Sequence, residues 1–318
     1  MLQIRMIFIK SIFLKPYISI KQKLDSILLS MSHVLAKLET IQEALGRVES
    51  RQYDGLSSNK INDYEFKVYS QWGEDGIIQY LIKNIEMPRK IFVEFGVENY
   101  TECNTRFLLV NNNWSGLIIE GKQEHTDSIK RSSLYWRYNL KAINSFVTAE
   151  NIDEILESNG LSGEIGVLSI DVDGNDYWIW KAISVSQPII VVIEYNYRFG
   201  IDKAVSTPYD PWFDREKKHH SMIYFGASLK ALFLLGQKKG YDFVGCSNNG
   251  VNAFFVRKDK KPDFIRNLSV KEGYRKGGFS EYRNIERVQE NIGSDQEIDL
   301  LNYGLGLPIV EVIDENIV

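Results

Sequence analysis

The chain has 318 residues, of which 44% are hydrophobic and 25% are charged, and its formal net charge is −4. This composition is typical of a globular protein with one large domain, or one domain and an appendage. A negative net charge argues against the basic surface of nucleic-acid-binding proteins, so we expect no nucleic-acid partner. The chain has two cysteines, Cys103 and Cys246, and no CxxC pair. This excludes a disulfide framework, disfavours structural zinc and fits a reducing, cytoplasmic compartment.

The first twenty residues, MLQIRMIFIKSIFLKPYISI, are apolar but contain Arg5, Lys10 and Lys15. A membrane span needs about 20 consecutive apolar residues, and no window here approaches that length without a charge. A signal peptide is disfavoured because Lys10 interrupts the apolar run and no small-residue cleavage site follows. The pattern favours an amphipathic helix, which would lie peripherally on a membrane, on a partner or on its own domain.

Residues 22–50 show a second helical pattern. Apolar residues recur at steps of three and four, at Leu24, Leu28, Met31, Leu35, Leu38, Ile41, Leu45 and Val48. This spacing is close to the heptad repeat of a coiled coil, so we expect a homo-oligomer formed through this helix. The alternative is a solitary amphipathic helix folded back on the domain. The stretch 54–59 indicates a linker, and residues 1–60 therefore form an N-terminal helical segment.

From about residue 65 the pattern alternates between helices and strands. Five apolar strands are predicted before a closing hairpin, at Lys90–Phe95, Leu117–Glu120, Ala142–Phe146, Ile165–Asp171 and Ile189–Glu194. The hairpin consists of Tyr241–Cys246 and Asn252–Arg257. Continuous apolar strands between helices predict a doubly wound, Rossmann-like α/β sheet over residues 61–258. Residues 259–318 are charged and less periodic, and we interpret them as a C-terminal extension or cap.

Four of the predicted strands end in an acid, namely Glu94, Glu120, Asp171 and Glu194. Ligands of such sheets bind beyond the carboxyl ends of the strands, and an acid after the second strand can accept both hydroxyls of a ribose. The turn after the first strand contains Gly96 but no GxGxxG. Glu94 and Glu98 would repel a pyrophosphate there and would favour a cation. The residues thus favour a nucleoside with a positively charged tail, and the alternative is a solvated strand-end glutamate.

Four motifs, "FVEFGV", "GLIIEG", "VTAENIDEIL" and "LSIDVDGNDYWIW", resemble the FkbM-type branch of class I S-adenosylmethionine-dependent methyltransferases. The similarity runs from about Tyr69 to Arg257. It implies a class I methyltransferase fold, S-adenosylmethionine as cofactor and O-methylation of a saccharide or polysaccharide hydroxyl. The chain departs from the family pattern in two places. Asp171-Val172-Asp173-Gly174 replaces an Asp-Val-Glu-Gly, and only Gly96 remains of a glycine-richer first loop.

The resemblance also implies which residues bind the cofactor. In a methyltransferase of this shape, the segment before the first strand folds over the methionine end, so Gln71 and Glu74 are candidate contacts. The alternative is a helix start, with Ser70 as its cap and Glu74 and Asp75 in the first turn. The predicted cofactor-binding residues are Gln71, Glu74, Glu94, Gly96, Glu98, Glu120 and Asp171.

The segment Asp171–Asp176 (DVDGND) could hold a metal ion. An EF-hand is excluded, because its sixth and twelfth positions would be Asp176 and Ala182 instead of Gly and Glu. Asp171, Asp173 and Glu194 could share Mg²⁺ or Mn²⁺ through carboxylate oxygens. Two alternatives remain. The DxD could bind a nucleotide sugar in a metal-dependent glycosyltransferase, or one carboxylate could cap the next helix while another is solvated.

A sugar hydroxyl needs a base or a metal ion before it can accept a methyl group, since its own pKa is far above neutral. The candidate bases are Asp173, His219 and His220, although adjacent histidines on a loop are more often solvated. The same loop contains the aromatic clusters 195–199 and 209–213, which suit either carbohydrate stacking or ordinary packing. A non-catalytic scaffold that assembles through its N-terminal helix is the third functional hypothesis.

Overall fold

The computed structural model describes residues 2–52 and 58–312, except for the side chains of residues 2–16 and 19. The chain divides into two compact units, Met1–Val48 and Glu49–Val318. A single helix, α1 (Leu2–Gln52), accounts for the described part of the first unit. This confirms the predicted N-terminal helix. Among the described residues, no helix is both long and apolar enough to cross a membrane.

The second unit alternates strands and helices. Its strands are β1 (Ile91–Phe95), β2 (Ser115–Glu120), β3 (Leu140–Asn144), β4 (Gly163–Ile170), β5 (Ser186–Glu194), β6 (Val205–Ser206), β7 (Tyr241–Cys246), β8 (Asn252–Arg257) and β9 (Val310–Glu311). Its α-helices are α2 (Glu74–Asn84), α3 (Arg106–Asn112), α4 (Gln123–Arg131), α5 (Ser133–Arg137), α6 (Ile152–Ser158), α7 (Asp176–Ala182), α8 (Arg215–Lys218), α9 (Leu229–Lys238), α10 (Val270–Gly273) and α11 (Ser294–Asp299). A π-helical turn, Leu300–Gly304, follows α11, and two short 3₁₀ turns are Ile61–Tyr64 and Tyr197–Phe199.

Seven strands form one sheet in the order β3-β2-β1-β4-β5-β8-β7. The strands β1 to β5 are parallel, and β8 is antiparallel to both of its neighbours. The chain order reverses between β1 and β4, which creates a topological switch point where ligands of open α/β sheets bind. This topology confirms the predicted doubly wound, Rossmann-like α/β fold.

The central strands are apolar throughout because both faces of the sheet are covered. Successive residues of β1 show this directly. Phe92 is fully buried in one hydrophobic cluster, and Val93 is fully buried in the cluster on the opposite face. Both cysteines, Cys103 and Cys246, are also buried, and neither forms a disulfide.

Residues 259–312, which we call the C-terminal segment, pack as part of the second unit. The strands β6 and β9 pair in a two-stranded antiparallel sheet, which joins the loop after β5 to residues 310–311. Arg198 and Glu297, both buried, form an ion pair with 2.5 Å between Nε and Oε2. The hydroxyl of Tyr197 also donates a hydrogen bond to Glu297. These contacts tie the C-terminal segment to the loop that follows β5.

Candidate active site

A cavity of about 570 Å³ lies at the carboxyl ends of β1, β2 and β4, beside the switch point. This volume is within the range of small-molecule pockets, about 300–1,000 Å³. Five residues that the sequence analysis singled out lie in its lining, namely Gly96, Glu98, Glu120, Asp171 and Asp173. The cavity therefore brings together five predicted residues that are up to 77 positions apart in the chain, from Gly96 to Asp173.

Glu120 ends β2, and its carboxylate is fixed from two sides. Oε2 accepts a hydrogen bond from the backbone N–H of Glu98, and Oε1 accepts one from the N–H of Lys122, both at 2.8 Å. His125 Nδ1 lies 3.4 Å from Oε1. A carboxylate oxygen can accept more than one hydrogen bond. Glu120 is therefore held in place and can still accept two hydroxyl groups from a ligand in the cavity.

The turn after β1 contains three residues with positive φ, Gly96 at 70°, Glu98 at 47° and Tyr100 at 62°. A Cβ atom at Gly96 would lie 1.7 Å from the carbonyl oxygen of Asp171. Glycine is required here because the turns after β1 and β4 approach each other closely, and because φ is positive. This glycine thus serves the packing of two turns that both line the cavity.

Glu94 is buried and lies outside the lining of the cavity. Its carboxylate accepts hydrogen bonds from the backbone N–H groups of Asn104 (2.8 Å) and Thr105 (3.1 Å), directly before α3. Burial raises the pKa of Glu94, although the hydrogen bonds from Thr105 and Asn104 oppose this shift. In this geometry, Glu94 connects the end of β1 to the start of α3.

Gln71 and Glu74 also lie outside the cavity lining. Gln71 is exposed, whereas buried Glu74 accepts hydrogen bonds from the Trp72 N–H (3.0 Å) and from Asn252 Nδ2 (3.1 Å). Asp75 Oδ2 accepts hydrogen bonds from the backbone N–H groups of Val68, Tyr69 and Ser70. Gly73, and not Ser70, is the N-cap of α2. The segment before α2 is thus a turn stabilised by its own hydrogen bonds.

Three acids come together at the point where Asp171 lines the cavity. Asp171, Asp176 and Glu194 each place a carboxylate oxygen within 4.8 Å of the others. Asp176 also accepts hydrogen bonds from the backbone N–H groups of Val172 (2.9 Å) and Gly174 (3.0 Å). The Oε2 atom of Glu194 is buried and has no hydrogen-bond partner among the described residues.

Burial and mutual repulsion change the protonation of these three acids, which we call the acid cluster. Burial, followed by the charge of a neighbouring aspartate, raises the pKa of Asp171 and of Glu194 well above ordinary carboxyl values. Burial raises the pKa of Asp176 to about 6. Carboxylates this close cannot all ionise without a counter-charge. The acid cluster therefore holds protons or binds a cation.

Asp173 is not part of the acid cluster. It has a φ of 54°, and 65% of its side chain is exposed. Its Oδ1 atom lies 3.2 Å from Arg215 Nη1, and Arg215 Nη2 lies 2.8 Å from a Glu281 carboxylate oxygen. The predicted set of carboxylates was Asp171, Asp173 and Glu194. Asp173 instead contacts Arg215, and the acid that lies close to Asp171 and Glu194 is Asp176.

His219 and His220 lie outside the lining of the 570 Å³ cavity. Their rings are 4.2 Å apart, and Nδ1 of His219 is 2.8 Å from the Ser221 hydroxyl. Burial and the neighbouring His220 lower the pKa of His219. The structure therefore separates the two histidines from the cavity and places Asp173 in its lining. The catalytic roles of His219, His220 and Asp173 stay predictions.

The two aromatic clusters of the long loop have different environments. Tyr195, Tyr197 and Phe199 are buried and belong to the core. Trp212 is 76% exposed, and its ring is stacked on that of Phe146 with 6.0 Å between centroids and an interplanar angle of 25°. Phe146 lines the cavity. An exposed aromatic surface therefore stands at the rim of the cavity.

Asp176, Arg215 and Phe146 are residues of this site that the sequence analysis did not assign. Asp176 is the last residue of DVDGND, and an aspartate at a helix start usually indicates only a favourable interaction with the helix dipole. Arg215 stands in a charged stretch without periodicity, so no pattern relates it to Asp173. Phe146 is the last residue of the predicted strand Ala142–Phe146, where its apolar side chain is indistinguishable from a core residue, whereas the observed β3 ends at Asn144.

The cavity lining is strongly acidic. Its acids are Glu98, Glu120, Asp171, Asp173, Asp214 and Glu216, whereas its lysine and arginine residues are Lys122 and Arg215. Clefts with one sign of charge concentrate ligands of the opposite sign. The lining therefore favours a cationic ligand and opposes a diphosphate.

Comparison with known proteins identifies no family for this chain. No protein-family model matches the sequence, and no curated protein matches it either. Solved structures do align with the fold. The methyltransferase domain of bacterial CtHen1-C has a TM-score of 0.38 and 11% identity, and the alignment covers 58% of this chain and 96% of that one.

Two further solved structures contain S-adenosylhomocysteine (SAH). The N-terminal domain of EvdMO1 with SAH bound has a TM-score of 0.38 and 12% identity, and the alignment covers 66% of this chain and 94% of that domain. An O-methyltransferase from Bacillus cereus in complex with SAH has a TM-score of 0.37 and 15% identity, over 68% of this chain and 89% of the other. Neighbours this distant assign no activity to the chain, so the geometry of the cavity is the basis for function.

Proposed function

We propose that this protein is an S-adenosylmethionine-dependent O-methyltransferase that acts on a saccharide or polysaccharide hydroxyl. The observation that carries the proposal is the fixed carboxylate of Glu120 at the end of β2, in the lining of a nucleoside-sized cavity. A ribose with two free hydroxyls is the ligand that such a carboxylate binds at this position of an α/β sheet.

The charge of the cavity supports a cationic nucleoside. S-adenosylmethionine has a sulfonium and an ammonium group, both of which are attracted by the acidic lining. A nucleotide sugar or dinucleotide has a diphosphate, which Glu98 and Glu120 in the same lining would repel. The glycosyltransferase alternative further needs both acids of the DxD on one metal ion, and Asp173 instead pairs with Arg215.

S-adenosylmethionine supplies an activated methyl group, so the protein has to position the acceptor hydroxyl and remove its proton. Asp171 and Asp173 both line the cavity. The raised pKa of Asp171 favours its protonated form, so Asp173, whose exposed carboxylate lies 3.2 Å from Arg215, is the better proton acceptor in the lining. We therefore assign proton removal to Asp173, which Arg215 holds in position.

The acid cluster fits a divalent cation. Its donors are three carboxylates, which are the ligands that Mg²⁺ and Mn²⁺ prefer, and Glu194 Oε2 has a free acceptor. A bound cation would lower the pKa of a nearby hydroxyl and compensate the mutual repulsion of the acids. The ligands would be Asp171, Asp176 and Glu194.

The rim of the cavity suits a carbohydrate acceptor. The exposed, stacked pair of Phe146 and Trp212 offers flat apolar surface, and Asp210 and Lys218 nearby in sequence offer polar groups on the same loop. Sugars combine apolar ring faces with hydroxyls, so both kinds of group can contribute to binding. The aromatic pair and the polar groups of this loop support a saccharide as the class of acceptor.

The first experiment is calorimetric titration with S-adenosylmethionine and SAH, with the wild-type protein and two variants. Glu120→Gln removes the negative charge and replaces one acceptor oxygen by an amide donor, and we expect a loss of about 10- to 100-fold in affinity, because hydrogen bonds to a charged group are lost. Glu216→Gln is the matched control, since this exposed glutamate lies in the same lining but has no predicted ribose contact. We expect its affinity to stay within a factor of two or so of wild type.

The same titration discriminates the alternatives. Binding of a nucleotide sugar in the presence of Mn²⁺, without binding of S-adenosylmethionine or SAH, would establish a glycosyltransferase. Binding of none of these ligands would support the non-catalytic scaffold.

Mn²⁺ binding can be followed separately by electron paramagnetic resonance. We expect Glu194→Gln to weaken it, and an unchanged signal would remove the acid cluster as the metal site.

A further inference from the structure

The N-terminal helix α1 presents a long apolar surface. Besides Leu29, twelve large apolar side chains between residues 17 and 48 have 47–66% of their surface exposed. They are Tyr17, Ile20, Leu24, Ile27, Leu28, Met31, Val34, Leu35, Leu38, Ile41, Leu45 and Val48. Contiguous exposed apolar surface of this kind marks an interaction site in a soluble protein.

These side chains follow an unbroken heptad repeat. Tyr17, Leu24, Met31, Leu38 and Leu45 recur every seven residues, and we assign them to position a. Ile20, Ile27, Val34, Ile41 and Val48 follow each of them by three residues and occupy position d. From Tyr17 to Val48, no charged or polar side chain other than the Tyr17 hydroxyl interrupts the two rows. Such rows form the seam of a left-handed coiled coil.

The heptad period argues against a flat binding surface. A straight α-helix has 3.6 residues per turn, so a seven-residue repeat drifts around it by about 20° per heptad. Over the four heptads from Tyr17 to Val48, the drift reaches roughly 90°. A membrane or another flat surface would contact one end of the seam and lose the other. A supercoiled helix with the same repeat follows the seam along its entire length.

A second copy of this chain brings a helix with the same repeat in the same register. The available area is sufficient for a stable interface. At roughly 80 Å² for each exposed side chain, the twelve residues offer on the order of 1,000 Å², compared with about 800 Å² per partner in a standard interface.

The residue types at the seam favour more than two helices. Position a has Leu or Met together with Tyr17, whereas position d has only β-branched Ile or Val. Leu at a with Ile at d favours bundles of three or four helices, whereas the reverse arrangement favours two. Leu28 and Leu35, both at position e, widen the apolar surface and are 55% and 63% exposed. A two-helix seam would leave them in water, and a larger bundle covers them.

We propose that residues 17–48 form a parallel coiled coil of three or four copies of this chain. This proposal is independent of the proposed function. Sedimentation equilibrium of the full chain measures it directly, and we expect three to four times the mass of one chain across the micromolar range.

Substitutions at and away from the seam form a matched pair. Met31→Lys with Leu38→Lys places two charges at position a, and we expect the mass of a single chain. Leu29→Lys with Ala36→Lys places the same charges at position f, where Leu29 is 60% exposed, and we expect the wild-type mass. Near-ultraviolet circular dichroism checks that the second unit is folded in both variants. Equal dissociation of both variants would contradict the seam.

A third variant tests the number of helices. It exchanges the residue types of the two rows, with Ile at residues 24, 31, 38 and 45 and Leu at residues 20, 27, 34, 41 and 48. We expect this variant to have twice the mass of one chain. A wild-type dimer would overturn the proposed number of helices. A wild-type monomer would overturn the proposal itself. A monomer that co-sediments with phosphatidylserine vesicles would overturn it in favour of a membrane-binding helix.

Discussion

At the scale of single residues, Gly96 shows that a functional turn can be determined by packing. The residue has a φ of 70°, and a Cβ atom there would meet the Asp171 carbonyl oxygen. Its position after a strand predicts a contact with the cofactor. The geometry relates it first to the contact between the turns after β1 and β4.

Gly96→Ala should therefore lower the free energy of unfolding by about 3 kcal/mol, from unfavourable φ and a steric clash together. Gly160→Ala is the matched control, because Gly160 also has a φ of 70° but no atom within 4 Å of its Cβ position. We expect the control to cost about 1 kcal/mol. Urea unfolding of both variants measures the difference. Equal costs would show that backbone conformation alone requires glycine at residue 96.

Asp75 gives the protein a pH dependence of stability. Burial raises its pKa to about 6 in the folded state, despite hydrogen bonds from Ser70, Val68 and Tyr69. The folded state therefore binds this proton more tightly than the unfolded state. The stability from Asp75 is fully present below the ordinary aspartate pKa of about 4 and is lost as the pH rises through about 6.

Asp75→Asn should remove this component, which amounts to at most about 3 kcal/mol for a shift of roughly two pKa units. The measurement is the free energy of unfolding of wild type and variant at a series of pH values between 4 and 7. The free energy of unfolding of the wild type should fall relative to that of the variant, by at most about 3 kcal/mol, as the pH rises from 4 to 7. A constant difference would mean that Asp75 has an ordinary pKa in the folded protein.

At the scale of secondary structure, Glu94 joins β1 to α3. Glu94→Ala should lower the free energy of unfolding by roughly 2–3 kcal/mol, because two buried backbone N–H groups lose their acceptor. Glu120→Gln is the informative comparison, since it should weaken SAH binding more than it lowers stability. Thermal unfolding and calorimetry of both variants separate the two roles. A stable Glu94→Ala variant that no longer binds SAH would return Glu94 to the cofactor site.

The secondary structure of the second unit was predictable because its signals are local. The strands β7 and β8 have the predicted boundaries, and each of β1 to β5 overlaps its predicted strand. The two-residue strands β6 and β9 were not predictable. They are 105 residues apart, from Val205 to Val310, and neither has a periodic pattern of its own. The acid cluster was only partly predictable, since its membership depends on which way Asp173 and Asp176 turn after β4.

At the scale of the whole molecule, the buried pair of Arg198 and Glu297 holds the C-terminal segment to the rest of the second unit. Glu281 extends this pairing, because its carboxylate contacts both Arg198 and Arg215. Arg215 in turn contacts Asp173 in the cavity lining. The C-terminal segment thus contributes to the position of a cavity residue through a chain of ion pairs.

Glu297→Ala should destabilise the second unit by about 3–5 kcal/mol, because the buried guanidinium of Arg198 would lose the shorter of its two carboxylate contacts and keep the one with Glu281. The double variant Arg198→Met, Glu297→Leu should recover much of this loss, since both charges are removed. Chemical unfolding measures the energies, and limited proteolysis detects release of the C-terminal segment. A double variant as unstable as the single one would show that the shape of the pair matters more than its charge.

The burial of both cysteines has a practical consequence for these measurements. The thiolate is the reactive form of cysteine, and burial raises the pKa of Cys103 well above its usual value and that of Cys246 to about 12. Thiol reagents should therefore react with the protein only when the core opens. The rate of alkylation then reports the opening of the second unit without an introduced cysteine. It does so at two positions, in the hydrophobic clusters on opposite faces of the sheet.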